Sequence, residues 1–102
     1  MEFNEIKEKV VKNATNYGKN YKIKIDEDFA VLKLFEEVGE FAQAVLVHKK
    51  KCRPQKFISE EKSKENLGEE LADILGMVLV NSSLFNIDLE KEISKKWFDK
   101  EN

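Results

Sequence analysis

Two short acidic runs hold the side chains best placed to do chemistry, Glu36-Glu37-Val38-Gly39-Glu40 and Glu69-Glu70-Leu71-Ala72-Asp73. Each pairs carboxylates three residues apart, Glu37 with Glu40 and Glu70 with Asp73. At about 3.6 residues per helical turn, that spacing stacks both groups on one face, one turn apart. Like charges so close repel, and no basic residue follows one turn on. Glu36 is followed by Glu40, Glu37 by Phe41 and Glu69 by Asp73. Lys33, one turn before Glu37, can offset only part of the charge. Two readings stand. The runs are two solvated faces, as charge patches usually are, or they converge on a divalent cation held between two helices. Four oxygen ligands without nitrogen or sulfur suit a hard ion, magnesium above all, with manganese possible.

Other metal chemistries fit less well. A di-iron carboxylate bundle needs a Glu-x-x-His pair on each of two helices. His48 is the only histidine and lies outside both runs. His48 and Cys52 are four residues apart and could form half a zinc site, but no second half exists, and an exposed helix end accounts for the pair.

Four helical segments must position these groups. The first runs from about Glu2 to Tyr17, with Phe3, Ile6, Val10, Ala14 and Tyr17 on one apolar stripe and Gly18 as its expected C-cap. Residues 19–25 read as an ordered loop. The alternation of Tyr21, Ile23 and Ile25 resembles a short strand, but there is no partner strand. The second helix starts at Asp26 or Asp28 and continues to about Lys51. Its apolar residues, Val31 to Leu46, cover roughly half the circumference, more than one neighbour needs, so a second subunit is among the candidate contacts. Glu36, Glu37 and Glu40 occupy the opposite arc. The basic run from Lys49 to Arg53 suits the negative end of that helix, and Pro54 forbids its continuation. The third helix runs from Ser59 or Ser63 to Phe85. After Asp73 it is apolar almost all round, which places Asp73 near the edge of the interior. Gly76 within it is expected to mark close packing. Asp88 caps a fourth helix that runs nearly to the end, with Leu89, Ile93 and Trp97 at four-residue steps.

Composition bounds the rest. At 102 residues the chain, 1–102, reads as one domain. Such a chain buries roughly 60–70% of its unfolded surface, so oligomerisation would help. A net charge of −2 gives no global attraction to nucleic acid or to an anionic membrane. A single cysteine, Cys52, excludes an intramolecular disulfide and fits a reducing compartment. The start of the chain lacks a signal-peptide pattern, and no apolar run approaches the roughly 20 residues that cross a bilayer. The expectation is a soluble cytoplasmic protein.

The stretch Lys33-Leu34-Phe35-Glu36-Glu37-Val38-Gly39-Glu40-Phe41-Ala42-Gln43-Ala44, followed after a loop by Glu69-Glu70-Leu71-Ala72-Asp73-Ile74-Leu75, resembles the MazG-type nucleotide pyrophosphohydrolases. That family is marked by Glu-Glu-x-x-Glu and then Glu-x-x-Asp. The resemblance spans about Phe29 to Leu89. It implies an all-α, four-helix module that assembles with further copies as a helical-bundle dimer or tetramer. It also implies hydrolysis of nucleoside triphosphates to the monophosphate and pyrophosphate, in the service of clearing unwanted nucleotides. Glu37, Glu40, Glu70 and Asp73 would hold magnesium. Glu36 and Glu37 would serve catalysis, Glu36 by orienting water or acting as base. Either Lys95 or Lys96 would contact phosphate. Lys33 would offset charge beside the site. Trp97 would stack on a base or fill a core or subunit contact. Asn81 would hydrogen-bond a ligand or a neighbouring helix. Two further readings remain: a related pyrophosphohydrolase acting on phosphoribosyl-ATP or another pyrophosphate substrate, and a non-catalytic regulator that binds a nucleotide or a protein.

Overall fold

The helix starts follow from their caps. The computed structural model describes residues 1–99, and in it α1 spans Phe3–Tyr21, α2 Glu27–His48, α3 Glu60–Leu84 and α4 Leu89–Ile93. Asp26 Oδ1 accepts a hydrogen bond from the Phe29 N–H at 2.9 Å and opens α2. Ser59 Oγ accepts from the Lys62 N–H at 3.1 Å and opens α3, and Asp88 Oδ1 accepts from the Lys91 N–H at 3.2 Å and opens α4. Each satisfies one of the donors that a helix start leaves without a partner. A single 3-10 turn, Pro54–Lys56, lies between α2 and α3. Among the described residues there is no strand, and the fold is all-α.

The end of α1 differs from expectation. The helix passes through Gly18 and stops three residues later, where Lys22 takes a left-handed backbone with φ of 57°. Gly18 serves the turn in another way. Its carbonyl accepts from the N–H groups of Lys22 and Ile23, and the chain folds back over it. A Cβ there would lie 2.6 Å from Ile25 Cγ1 and 2.8 Å from the Ile23 carbonyl oxygen. The glycine is needed for close approach of the returning chain, while Lys22 supplies the left-handed residue.

α2 and α3 form the main packing unit, and α1 lies against α3. Contacts between residues 48 and 63, 37 and 73, and 30 and 81 fix an antiparallel register for α2 and α3. At one end His48 Nδ1 lies 2.7 Å from Ser63 Oγ, whose hydroxyl donates to the Glu60 carbonyl at 2.9 Å. Near the other end the Asn81 amide donates to the Ala30 carbonyl across the interface at 3.0 Å and to the Met77 carbonyl in its own helix at 2.7 Å. After α3 the backbone turns sharply, so that the segment Leu89–Phe98 lies at 112° to α3. That segment continues from α4 as a π-helical stretch, Ser94–Phe98, whose main contact is with α4 itself.

The interior of the single chain is thin. Ala30, Leu79 and Val80 are its fully buried hydrophobic residues, whereas Leu32 and Phe35 are each 69% exposed and Trp97 71%. Leu71 and Leu75 are also exposed. The apolar arc expected to pack α2 against several helices therefore faces outward in large part, and α3 is not enclosed all round. The radius of gyration is 16.3 Å, against about 13 Å for a compact chain of this length. No single helix is long and apolar enough to cross a membrane.

Candidate metal centre

The acidic arc of α2 turns toward α3. Glu37 is buried at 7% exposure, in the middle of the α2 and α3 contact, while Glu36 and Glu40 lie exposed on either side of it. From α3, Glu70 is half-buried and Asp73 exposed. The sequence pattern placed Asp73 at the edge of the interior, but the carboxylate that enters it is Glu37. One oxygen from each of Glu37, Glu70 and Asp73 lies within 4.8 Å of the other two, and the same holds for Glu36, Glu37 and Glu40. The two triads share Glu37. The spacing of three residues in each helix brings Glu37, Glu70 and Asp73 together across the two helices, while Glu40 groups with Glu36 and Glu37 along α2.

The electrostatics of this arrangement are unfavourable in the absence of a cation. Burial pushes the Glu37 carboxyl up to about 7, aided by the charge of Glu40, a hydrogen bond with Glu40 and the charge of Asp73. Lys33 opposes this from 3.8 Å but does not prevail. Burial also raises the Glu70 carboxyl, with the charges of Glu40, Asp73 and Glu69 adding to it. Lys33 is held mainly by Glu36, and that hydrogen bond raises its own pKa. Glu37 Oε2 and Glu70 Oε2 are buried without any hydrogen-bond partner. Such orphaned oxygens are costly unless a cation or donor meets them.

The donor set fits a divalent ion. It is all carboxylate oxygen, and ligand oxygens on magnesium stand roughly 3–4 Å apart at metal distances of about 2.0–2.1 Å, so small side-chain adjustments close either triad on an ion. A family model for the MazG nucleotide pyrophosphohydrolase domain matches residues 19–100, nearly the whole chain and both acidic runs. The chain belongs to this family. Neither curated proteins nor solved structures give a significant match. MazG enzymes are in general dependent on divalent metal, and this MazG domain has acidic clusters that could hold one.

The remaining expected site residues are distributed differently. Lys33 stands beside the cluster, bridging Glu36 and Glu37. The Asn81 amide N–H groups bond to α2 and α3 carbonyls, the structural alternative that its sequence position left open. Lys95, Lys96 and Trp97 occupy the exposed π-helical segment and line neither of the clefts that open on the carboxylates. His48 bonds to Ser63, and Cys52 is free.

Two clefts flank the centre. One, of about 380 Å³, opens toward α1 and includes Lys33, Glu37 and Asp73. The other, of about 320 Å³, opens toward the α2 and α3 connection and includes Glu40, Glu70 and Lys56. Asn13, on the first of these, was absent from the residues singled out by sequence. Its signal was faint: a poor helix former in the middle of a helix, one turn before Tyr17.

Proposed function

We propose that this MazG domain hydrolyses nucleoside or deoxynucleoside triphosphates to the monophosphate and pyrophosphate, with magnesium as its metal. The observation that carries the reading is the buried, unpartnered Glu37 Oε2 among three further carboxylates from two helices. A triphosphate is repelled by such a site unless cations intervene. Bound magnesium would neutralise phosphate oxygens and acidify a water molecule. Glu37, Glu40, Glu70 and Asp73 would hold the metal. Glu36, at the exposed rim, orients the attacking water and accepts its proton. The water oxygen bonds to the α-phosphorus as the bond to the bridging oxygen breaks, and pyrophosphate leaves with that oxygen and its electron pair. Lys33 lies beside the rim, where its ammonium stabilises charge on the phosphates.

The reading includes self-association. The apolar residues exposed on α2, α3 and the terminal segment exceed what a solitary small domain ordinarily leaves in water. A second copy covering the outward faces of α2 and α3 would turn Leu32, Phe35, Leu71 and Leu75 into core residues. Lys95, Lys96 and Trp97 would then serve the carboxylate centre of a neighbouring copy.

The test is release of pyrophosphate from a panel of nucleotides with magnesium and with EDTA. The expected result is pyrophosphate rather than orthophosphate from at least one nucleotide, lost in EDTA and in Glu40→Gln and Asp73→Asn. Turnover of phosphoribosyl-ATP alone would reassign the substrate. Absence of turnover on every substrate, with function indifferent to both substitutions, would establish a regulator instead.

A further inference from the structure

One face of α2 is left uncovered by this chain. Asp28, Leu32, Phe35, Gly39, Ala42, Leu46 and Lys49 follow one another at alternating steps of four and three residues, and all are exposed. The helical path holds as far as Lys49, whose N–H still bonds to the Val45 carbonyl at 2.9 Å. A repeat of about 3.5 residues is the seam of two helices wound on each other. The stripe is also graded along its length. Leu32 and Phe35 are bulky and lie toward its acidic end, while Ala42 lies toward its basic end. Gly39 is at the middle, and a Cβ there would meet nothing within 4 Å. Glycine disfavours a helix interior, and no atom of this chain uses the room it leaves. Among the described residues neither Asp28 nor Lys49 has an ion-pair partner. The helix dipole favours the sign of each charge but does not place either of them on the stripe.

We propose that this face of α2 docks on the same face of a second copy, antiparallel and centred on Gly39. The inference rests on the self-association proposed above and fixes its orientation and register. Asp28 then lies opposite the partner's Lys49, Leu32 opposite the partner's Leu46 and Phe35 opposite the partner's Ala42. A two-fold axis makes each of these contacts twice. Large residues meet small ones, and the axis passes beside Gly39, where the absent side chain lets the two backbones approach. One register thus satisfies size and charge together. A parallel pair satisfies neither, since Phe35 meets the partner's Phe35, Gly39 faces the partner's Gly39 across a gap, and Asp28 meets the partner's Asp28. Charges at the two ends of such a seam set orientation and exclude wrong alignments more than they add strength.

The experiment is carried out in Cys52→Ser chains, so that every disulfide forms at an introduced cysteine. Asp28→Cys and Lys49→Cys proteins are oxidised separately and as a mixture. A disulfide joins Cα atoms no more than about 7 Å apart, whereas the two ends of the stripe lie about 30 Å apart along the helix. A crosslinked dimer is expected from the mixture and not from either protein alone. Crosslinking of each protein with itself would show a parallel pair and overturn the proposal, as would a wild type that sediments as a monomer at every concentration. Charge exchange gives a second reading. Asp28→Lys and Lys49→Glu are each expected to raise the dimer Kd by about tenfold or more, because each creates two like-charge contacts per dimer. The double variant is expected to recover the wild-type Kd, and a double variant as weak as the single ones would overturn the register. Pyrophosphate release separates the two proposals. A monomer that releases pyrophosphate overturns this inference and leaves the reaction standing, whereas an antiparallel dimer that turns over no nucleotide leaves this inference standing and removes the reaction.

Discussion

Replacing Glu37 by glutamine should stabilise the metal-free protein at neutral and alkaline pH. The Glu37 carboxyl moves from 4.5 to about 7 on folding, chiefly through burial. Between those values the native state binds more protons than the unfolded state, so stability falls as pH rises through the window. At about 1.4 kcal/mol per pH unit the displacement amounts to on the order of 3 kcal/mol. Glu36, Glu40 and Asp73 sit at an exposed rim where water screens part of the repulsion, which reduces the expectation to about 1–2 kcal/mol. For a domain of this size that corresponds to a rise of roughly 5–15 °C in Tm for Glu37→Gln at about pH 8. The neutral amide also donates a hydrogen bond within reach of the surrounding carboxylates. The assay is thermal or urea unfolding in EDTA at about pH 5 and about pH 8, at one fixed protein concentration. Wild type should lose stability between the two, and Glu37→Gln should lose much less. Adding magnesium at a hundredfold excess over its Kd should restore about 2.7 kcal/mol to wild type and little to the variant. The reasoning is refuted if wild type is as stable at the higher pH as at the lower, and magnesium stabilises both proteins equally.

Gly18→Ala should destabilise by about 2 kcal/mol or more, read by urea unfolding, because its Cβ would meet the Ile23 carbonyl oxygen at 2.8 Å. Gly76→Ala should instead add about 1 kcal/mol, since the new Cβ would meet Val10 Cγ1 at an ordinary 3.9 Å while the helix gains in propensity; a loss of stability would show that the site is tighter than it looks. Phe35→Glu, at a position 69% exposed in the single chain, should shift sedimentation toward a monomer and lower Tm, whereas an ordinary surface position would tolerate it within about 0.5 kcal/mol.

Much of this was legible in the sequence. Asp88 marked one helix start, and the pairs Asp26 or Asp28 and Ser59 or Ser63 bracketed two more, because a short acceptor side chain satisfies a free backbone N–H; the structure takes Asp26 and Ser59. The meeting of Glu37 with Glu70 and Asp73 agrees with the face that helical spacing assigns to each pair, while Glu40 groups with Glu36 and Glu37 along α2. The end of α1 was not, because a glycine signals a left-handed cap and a close approach equally well, and only the path of Ile23 and Ile25 distinguishes them. Gly76 was expected to mark close packing, yet a Cβ there meets only an ordinary contact. Which carboxylate is buried was also hidden. The apolar arc of α2 promised an inward face, yet in the single chain Glu37 points in and Phe35 points out. A hydrophobic pattern records everything that is eventually covered, without saying whether this chain or another covers it. The role of Asn81 depended on a partner carbonyl 51 residues away, which no local pattern reveals. Expectations for residues 100–102 lie outside the described residues.

Lys33 keeps a positive charge at the rim in either state of the cluster. One ammonium serves two carboxylates, Glu36 closely and Glu37 from 3.8 Å. A divalent ion entering there would take over Glu37 and substitute two positive charges for a share of one. Glu36, the nearer partner, would hold the amine in place, so an arriving anion would meet the ion and the ammonium side by side.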